Sequence, residues 1–415
     1  MLSPRLDRRV CLLSSPLLRP LSFRSCLPNS GSNQETVVLP NSIWFHCAST
    51  GETRSVAPLA RALDERLGHR YPVLFTNRSS RALQWPVPGV DDQNTRRFAR
   101  VLGPSELRVG GFLAQSKPIA AVFVESELWP VLIHRARRCI QGPMVLVNAR
   151  MSEKSFGRWM SSPLSRAVVR SMVTAFDAIH AQSDADADRF RALGWNNKPM
   201  LIGSLKLASI RTAPTALRTS NIDSAVSELL SSLTPGWAAV SIHPNEEEVI
   251  LEAQKLLPNP KPRLILVPRH PSLNSPKIVQ VAESVYVVNA MNIVEDVCAW
   301  ASRGKAMVFV GGSLTRSKHH GGHNILEPLS RGCRVLHGPH MGSFEHLIKN
   351  IPLGKARFSV DSAQEFVSHL MASSSSPLLL NVQTSLLDQF LNDGDRILKE
   401  VADMIEEMIR ARIRV

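Results

Sequence analysis

Three carboxylates and several cations stand where apolar runs of this chain end. HCASTGET (46–53) puts Glu52 in a small-residue turn just after the apolar run Ser42–Cys47. A carboxylate there could take the proton from an attacking hydroxyl. An acid in a helix's first turn, stabilised by the helix dipole, is the ordinary structural use of the same residue. VFVESELWP (122–130) sets Glu125 and Glu127 two residues apart, between valines and a tryptophan. Burying carboxylates there is costly unless they are paired or functional, and a structural salt bridge would account for one of them. NARMSEKS (148–155) adds Arg150 and Lys154, GSLK (203–206) ends on Lys206, and VPRHP (267–271) sets Arg269 and His270 behind an apolar strand. Cations at strand ends suit an anionic ligand, and an arginine can grip a phosphate bidentately.

The densest stretch is GGSLTRSKHHGGHNILEPLSRG (311–332). Gly311, Gly312 and Ser313 follow an apolar strand; Gly321 and Gly322 lead to His323, Asn324 and a short helical pattern containing Glu327. Metal, nucleic acid and phosphate are all conceivable ligands of such a run. Backbone N–H groups beside glycines at a helix start make an anion site, and Glu327 could accept hydrogen bonds from ribose hydroxyls. The histidines lack the acid or cysteine spacing of a metal site. DADAD (184–188) opens a helix, where acids are ordinary, so no metal is expected there either.

These residues need a frame that gathers strand ends. Short continuous apolar strands alternate with helical patterns: Ser42–Cys47, 72–76, 119–125, 143–150, 175–183 and 199–206, then 237–243, 263–270, 285–290, 306–313 and 333–338. Such runs are strands of parallel sheets covered on both faces. The spacing predicts an α/β chain of two doubly wound domains facing a cleft, with ligands at the carboxyl ends of the strands. The expected division is a leader over 1–35, a first domain over 40–208, a linker over 209–236, a second domain over 237–375 and a helical segment over 376–415. Residues 77–108 show no clear pattern.

The totals agree with this frame. The chain has 415 residues, and 44% are hydrophobic, yet no run approaches the ~20 apolar residues that span a bilayer. A net charge of +14 favours anionic partners. Six scattered cysteines without a C-x-x-C pair argue against a disulfide framework or a zinc knuckle. The first 35 residues are rich in Arg, Ser and Leu, a composition similar to an organelle transit peptide or a basic tail.

In order along the chain, IWFHCASTGE, VFVESELWPVLI, LVNARMSEKSFGRW, AQSDADADRFRALG, GSLK, LILVPRHP, FVGGS, GGHNILEPLSRG and VLHGPHMGSF span residues 43 to 344, about three-quarters of the sequence. Together they resemble the 3-deoxy-D-manno-octulosonic acid (Kdo) transferases of lipopolysaccharide synthesis and their plant relatives. The resemblance implies the glycosyltransferase-B architecture of two Rossmann-like domains, and inverting transfer of Kdo from CMP-Kdo onto a lipid A precursor. It also implies a role for each matching residue. Glu52 matches the family's general base, Glu125 and Glu127 its acidic pair, and Lys206 a lysine that steadies the transition state. Arg269, His270, Gly311, Gly312, Ser313, Asn324 and Glu327 match its CMP-binding residues. CMP-Kdo, a phosphorylated lipid acceptor and a membrane surface are the expected partners, with no metal, cofactor or nucleic acid. The leader points to the mitochondrion or another membrane-associated location. The region 77–110 and the segment 287–297 depart from the family pattern, which leaves two alternatives: another nucleotide-sugar transferase of this fold, or a non-catalytic homologue that binds anionic lipid.

Overall fold

The computed structural model describes residues 39–413, apart from 84–86, 88–89, 91–96, 197–198, 212–223, 235, 271–277, 290–292, 305, 316–320, 343–356 and 373–378. The leader and the basic spacer 316–320 lie outside the described residues. The chain forms two units, Met1–Leu205 with Ile397–Val415, and Lys206–Arg396.

The first unit runs β1 (Ile43–Cys47), α1 (Thr50–Arg66), β2 (Val73–Asn77), α2 (Ser80–Leu83), β3 (Phe98–Leu102), α3 (Val109–Ser116), β4 (Ala120–Val124), α4 (Pro130–Cys139), β5 (Met144–Ala149), α5 (Glu153–Met160), α6 (Pro163–Val173), β6 (Ala178–Ala181), α7 (Asp184–Ala192) and β7 (Met200–Ile202). Its strands form one parallel sheet in the order β3-β2-β1-β4-β5-β6-β7. The apolar runs need no polar face because both faces are buried. Phe45, Val122 and Val145 join one core with α1, while Trp44, Phe123 and Leu146 join another with α4 and α6. β3, from the unpatterned stretch, is only partly buried at the sheet edge. A half-covered edge strand carries charged residues, which blurred its pattern.

The second unit runs α8 (Leu205–Arg211), α9 (Ser224–Ser232), β8 (Trp237–Ile242), α10 (Pro244–Leu256), β9 (Leu264–Pro268), β10 (Ile278–Ala282), β11 (Val285–Val288), α11 (Val294–Arg303), β12 (Met307–Val310), α12 (Leu326–Ser330), β13 (Arg334–His337), β14 (Arg357–Ser359), α13 (Ala363–Ala372) and α14 (Leu379–Arg412). Its sheet order is β10-β11-β9-β8-β12-β13-β14. It is parallel except for the β10–β11 pair, an antiparallel edge that sequence patterning did not show. Within the stretch expected to link the domains, α9 and the residue after it bury Val226, Leu230 and Leu233 in this unit's core.

From Ile397 onward α14 belongs to the first unit. Ile397, Val401, Ala402, Ile405 and Ile409 are buried in the core that also holds Phe45 and Val122. Its end is fastened by Arg412, which donates to both oxygens of Asp177 at 2.8 and 2.6 Å, with Arg137 on the same carboxylate at 2.8 Å. Burial alone would raise the Asp177 pKa. Donation from Arg412 and the Met144 N–H, with the charges of Arg137 and Arg412, outweighs burial and holds it below the usual carboxylate value. A depressed carboxylate contributes stability above its unfolded-state pKa, and that contribution is lost as the pH falls through the folded-state value. Asp177→Asn should therefore lower the neutral-pH melting point by roughly 2–4 °C, the shift from about 1 kcal/mol of partly exposed ion pairing in a unit of this size. Melts recorded from pH 7 downward should show the difference closing in acid; a gap that persists there would contradict the charge origin.

Candidate functional site

In an open α/β sheet the crevice for ligands lies where strand order reverses, outside the carboxyl ends. The first sheet reverses between β1 and β4, and the second between β8 and β12. Glu52 follows β1, Glu125 and Glu127 follow β4, and Gly311, Gly312 and Ser313 follow β12, whereas Lys206 follows β7 and Arg269 and His270 follow β9.

After β1 the chain turns into α1 through Ser49, the N-cap, whose hydroxyl accepts from the Glu52 N–H at 3.2 Å. The Glu52 side chain reaches back, and its Oε2 accepts the Ala48 N–H at 2.6 Å. Glu52 is thus both a capping acid and a half-buried carboxylate held in one orientation at the switch point. After β4, Glu125 takes a left-handed backbone with φ 57°. That turn sends the two acids to different partners. Glu127 is buried, 3.4 Å from His46 Nε2, and accepts the Trp129 indole N–H at 2.8 Å. His46 Nδ1 meets the Thr76 hydroxyl at 2.9 Å, and that hydroxyl also accepts from Trp44 Nε1. Arg78 lies over the Trp129 ring. Burial works to raise the Glu127 pKa, but hydrogen bonding and charge from His46, donation from Trp129 and the charge of Arg78 bring it below the usual value. The paired-acid alternative thus describes Glu127, whose carboxylate is turned onto internal partners.

Glu125 Oε1 instead receives the Asn148 side-chain N–H at 3.4 Å. Asn148 is fully buried and also left-handed, with φ 50°. Non-glycine residues held there cost of order 1–3 kcal/mol each and gather at functional sites. Cys47 lies among all three acids: burial pushes its thiol well up, and the charges of Glu52, Glu127 and Glu125 push it further. Lys206, half-buried in the first turn of α8, follows Leu205, whose N–H donates to Asn148 Oδ1 at 3.3 Å. Of the other cations considered, Arg150 donates its N–H to the Glu125 carbonyl at 3.3 Å, and Lys154 is exposed on α5. In the DADAD run, Asp186 accepts from the Met151 N–H and the Ser183 hydroxyl, a structural use.

The second unit departs from expectation at the glycine loop. The N–H groups of Gly312, Ser313 and Leu314 do not form an open anion cradle. They donate to Glu246 at 2.8, 3.0 and 3.0 Å, and the His243 N–H adds a fourth bond at 3.0 Å. The Gly311 N–H continues the sheet to Val240. The anion in this nest is the protein's own buried carboxylate. It also explains the glycines: a Cβ on Gly311 would meet Ser241 O at 2.5 Å and Glu246 Oε2 at 2.7 Å, and Gly312 has φ 75°.

Arg269 and His270 are exposed just after β9. Asn324 caps the start of α12 by accepting the Leu326 N–H at 3.1 Å, and its amide donates to Glu327 at 3.2 Å. His323 Nε2 meets His243 Nε2 at 2.9 Å, so one ring donates and the other accepts. Among the described residues no group of three or more His, Cys, Asp or Glu is arranged to hold a metal ion.

Sequence reasoning missed His46, Asn148, His180 and Glu246. The first three are polar residues inside otherwise apolar strands, where a buried polar group must have a partner; that interruption was the available signal. Glu246 sits three residues after His243 at a helix start, a capping spacing.

Residues 21–209 match the family described as "3-Deoxy-D-manno-octulosonic-acid transferase (kdotransferase)". The Arabidopsis thaliana protein named "Probable 3-deoxy-D-manno-octulosonic acid transferase, mitochondrial" is 31% identical over 357 residues, 80% of this chain and 76% of its own. A 3-deoxy-D-manno-octulosonic acid transferase of Rickettsia felis is 26% identical over 397 residues, 88% and 79% of the two chains. A glycosyltransferase structure from Rickettsia africae superposes with a TM-score of 0.54 at 11% identity, over 89% of this chain and 99% of that one, a likeness of fold. With the carboxylates gathered at the first switch point and a relative this similar over most of both lengths, the chain belongs to the Kdo transferase family.

Proposed function

We propose that this chain is an inverting glycosyltransferase that moves Kdo from CMP-Kdo onto a hydroxyl of a phosphorylated lipid A precursor. The observation that carries the reading is the placement of Glu52, held by the Ala48 N–H beside Glu125 and Cys47, at the β1/β4 switch point of a Kdo transferase family member. In the proposed step the acceptor hydroxyl oxygen bonds to the anomeric carbon and its proton passes to the Glu52 carboxylate. The bond from that carbon to the phosphate oxygen breaks, and CMP leaves with the electron pair. A base is needed because a sugar hydroxyl is a poor nucleophile. Glu125 faces the reacting region, and Lys206 offsets negative charge as it develops.

In the second unit Arg269 and His270 are assigned to CMP, with Asn324 and Glu327 for its ribose. The Gly311–Ser313 loop shapes the pocket wall, the Gly312 and Ser313 N–H groups being committed to Glu246 and that of Gly311 to Val240. CMP leaves as a monophosphate whose charge cationic side chains can meet without a metal. The basic, Ser- and Leu-rich residues 1–35 and the mitochondrial name of the Arabidopsis relative support a mitochondrial location. No helix among the described residues is long and apolar enough to cross a membrane; the reading places the protein at a membrane surface through its lipid acceptor and net charge of +14.

Donor competition tests this. Purified protein should release CMP from CMP-Kdo only when acceptor is present, at a rate unchanged by EDTA and unaffected by UDP-sugars. Turnover with a UDP-sugar but not CMP-Kdo would overturn the donor assignment, and loss of turnover in EDTA would overturn the metal-free mechanism.

A further inference from the structure

Asn148 is a buried polar side chain that joins the Glu125 turn to the residue preceding Lys206, and the mechanism above does not use it. It is fully buried and left-handed. Its N–H donates to His180 Nδ1 at 3.0 Å, its amide NH2 to Glu125 Oε1 at 3.4 Å, and its Oδ1 accepts the Leu205 N–H at 3.3 Å. His180 is fully buried, and burial lowers its pKa to about 4. Since its Nδ1 accepts from Asn148, the ring is neutral with its proton on Nε2. The facing turn is pinned as well: Glu125 is left-handed, its carbonyl accepts the Arg150 N–H at 3.3 Å, and the Ser126 hydroxyl donates to the Arg150 carbonyl at 2.7 Å.

One amide therefore spans two functional turns. Its donor end meets the acidic turn after β4, and its acceptor end meets the residue preceding Lys206. Only a side chain with a donor and an acceptor on one planar group can serve both. Aspartate at this position would turn the donor into a second acceptor facing a carboxylate. Leucine would leave the Leu205 N–H unpaired. We infer that Asn148 is a positioning residue for the transfer reaction, setting the orientation of Glu125 and the placement of the Lys206 turn through its single amide, with neutral His180 holding its backbone from behind. This inference rests on the proposed roles of Glu125 and Lys206.

The test uses the full chain with Asn148→Asp and Asn148→Gly, and two readouts. In steady-state kinetics Asn148→Asp should lower kcat about 10²-fold at neutral pH, the scale of a small misplacement of reacting groups, with KM for CMP-Kdo within about threefold, since the donor is assigned to other residues. Two facing carboxylates favour sharing one proton, and that proton restores a donor. The ratio of wild-type to variant kcat should therefore narrow as the pH falls. Asn148→Gly tolerates the left-handed backbone and should lose kcat equally at every pH. If the aspartate variant does not fold, the glycine variant carries the kinetic test.

The second readout is independent of donor identity. Side-chain carboxyl 13C NMR of Glu125, assigned with Glu125→Gln, should titrate at higher pH in Asn148→Asp than in wild type. A wild-type chain inactive with CMP-Kdo would count against the proposed function, while this titration would still decide the role of Asn148. A kcat within twofold of wild type for Asn148→Gly, or a pH-independent Asn148→Asp ratio with an unmoved Glu125 titration, would overturn the inference.

Discussion

Glu52→Ala is expected to lower turnover about 10²–10⁴-fold, the range for loss of a positioned general base, while CMP binding stays near the wild-type value. The expectation has to be separated from capping, because Glu52 also accepts the Ala48 N–H at 2.6 Å and belongs to the first turn of α1. Ser49 still caps the helix through the Glu52 backbone N–H in any variant at this position. The stability cost should thus stay near the lower end of a cap loss, about 0.5–1 kcal/mol. Glu52→Gln makes the distinction. It keeps an acceptor for Ala48 and the same length, but has no basicity to receive a hydroxyl proton. It should melt with wild type yet turn over as poorly as the alanine variant. Near-normal turnover in Glu52→Gln would reduce Glu52 to a capping residue.

The second large effect lies in the other unit and concerns stability. Glu246 is almost wholly buried and accepts four backbone N–H bonds, from His243, Gly312, Ser313 and Leu314. Glu246→Ala orphans three buried donors and the part-buried Leu314 N–H at once, each buried one worth about 1–3 kcal/mol if nothing replaces the carboxylate. Water entering the vacated space would pair some of them, so the net loss should be about 3–5 kcal/mol, at the severe end for single substitutions. That corresponds to a melting point lowered by roughly 6–20 °C in a unit of this size. Glu246→Gln should fall between, because its amide NH2 would face an N–H it cannot accept. Thermal melts of the three proteins measure this; an alanine variant within about 1 kcal/mol of wild type would show that the carboxylate does not anchor the loop.

The alternating apolar runs carried the fold because strands buried on both faces leave no polar pattern to confuse them. Val73–Asn77, Ala120–Val124 and Met307–Val310 lie within or at the expected runs. The elements that escaped were at sheet edges. Phe98–Leu102 and Ile278–Ala282 are only partly covered, and Arg100 and Gln280 interrupt their short apolar runs. Arg357–Ser359 is three residues long, too short to show a period.

The site was legible as a set of loaded strand ends but not as a network. Nothing in ESELWP shows that Glu125 turns left-handed and parts from Glu127. Nothing in GGS shows that a glutamate more than sixty residues earlier fills the nest. Spacing reports which residues share a loop; it does not report which loop a side chain answers to across a sheet. The GSLK turn illustrates the same limit. Lys206 was visible as a cation after a strand, while its tie to β5 through Leu205 and Asn148 depends on a strand pairing order that no local pattern encodes.

Mass spectrometry of a lipid A precursor incubated with the purified protein and CMP-Kdo tests the central claim most directly. The account predicts acceptor heavier by one or more whole Kdo units, with one CMP released for each, and no such product from Glu52→Gln. Unmodified acceptor after prolonged incubation with folded wild-type protein, or equal product from wild type and Glu52→Gln, would contradict it.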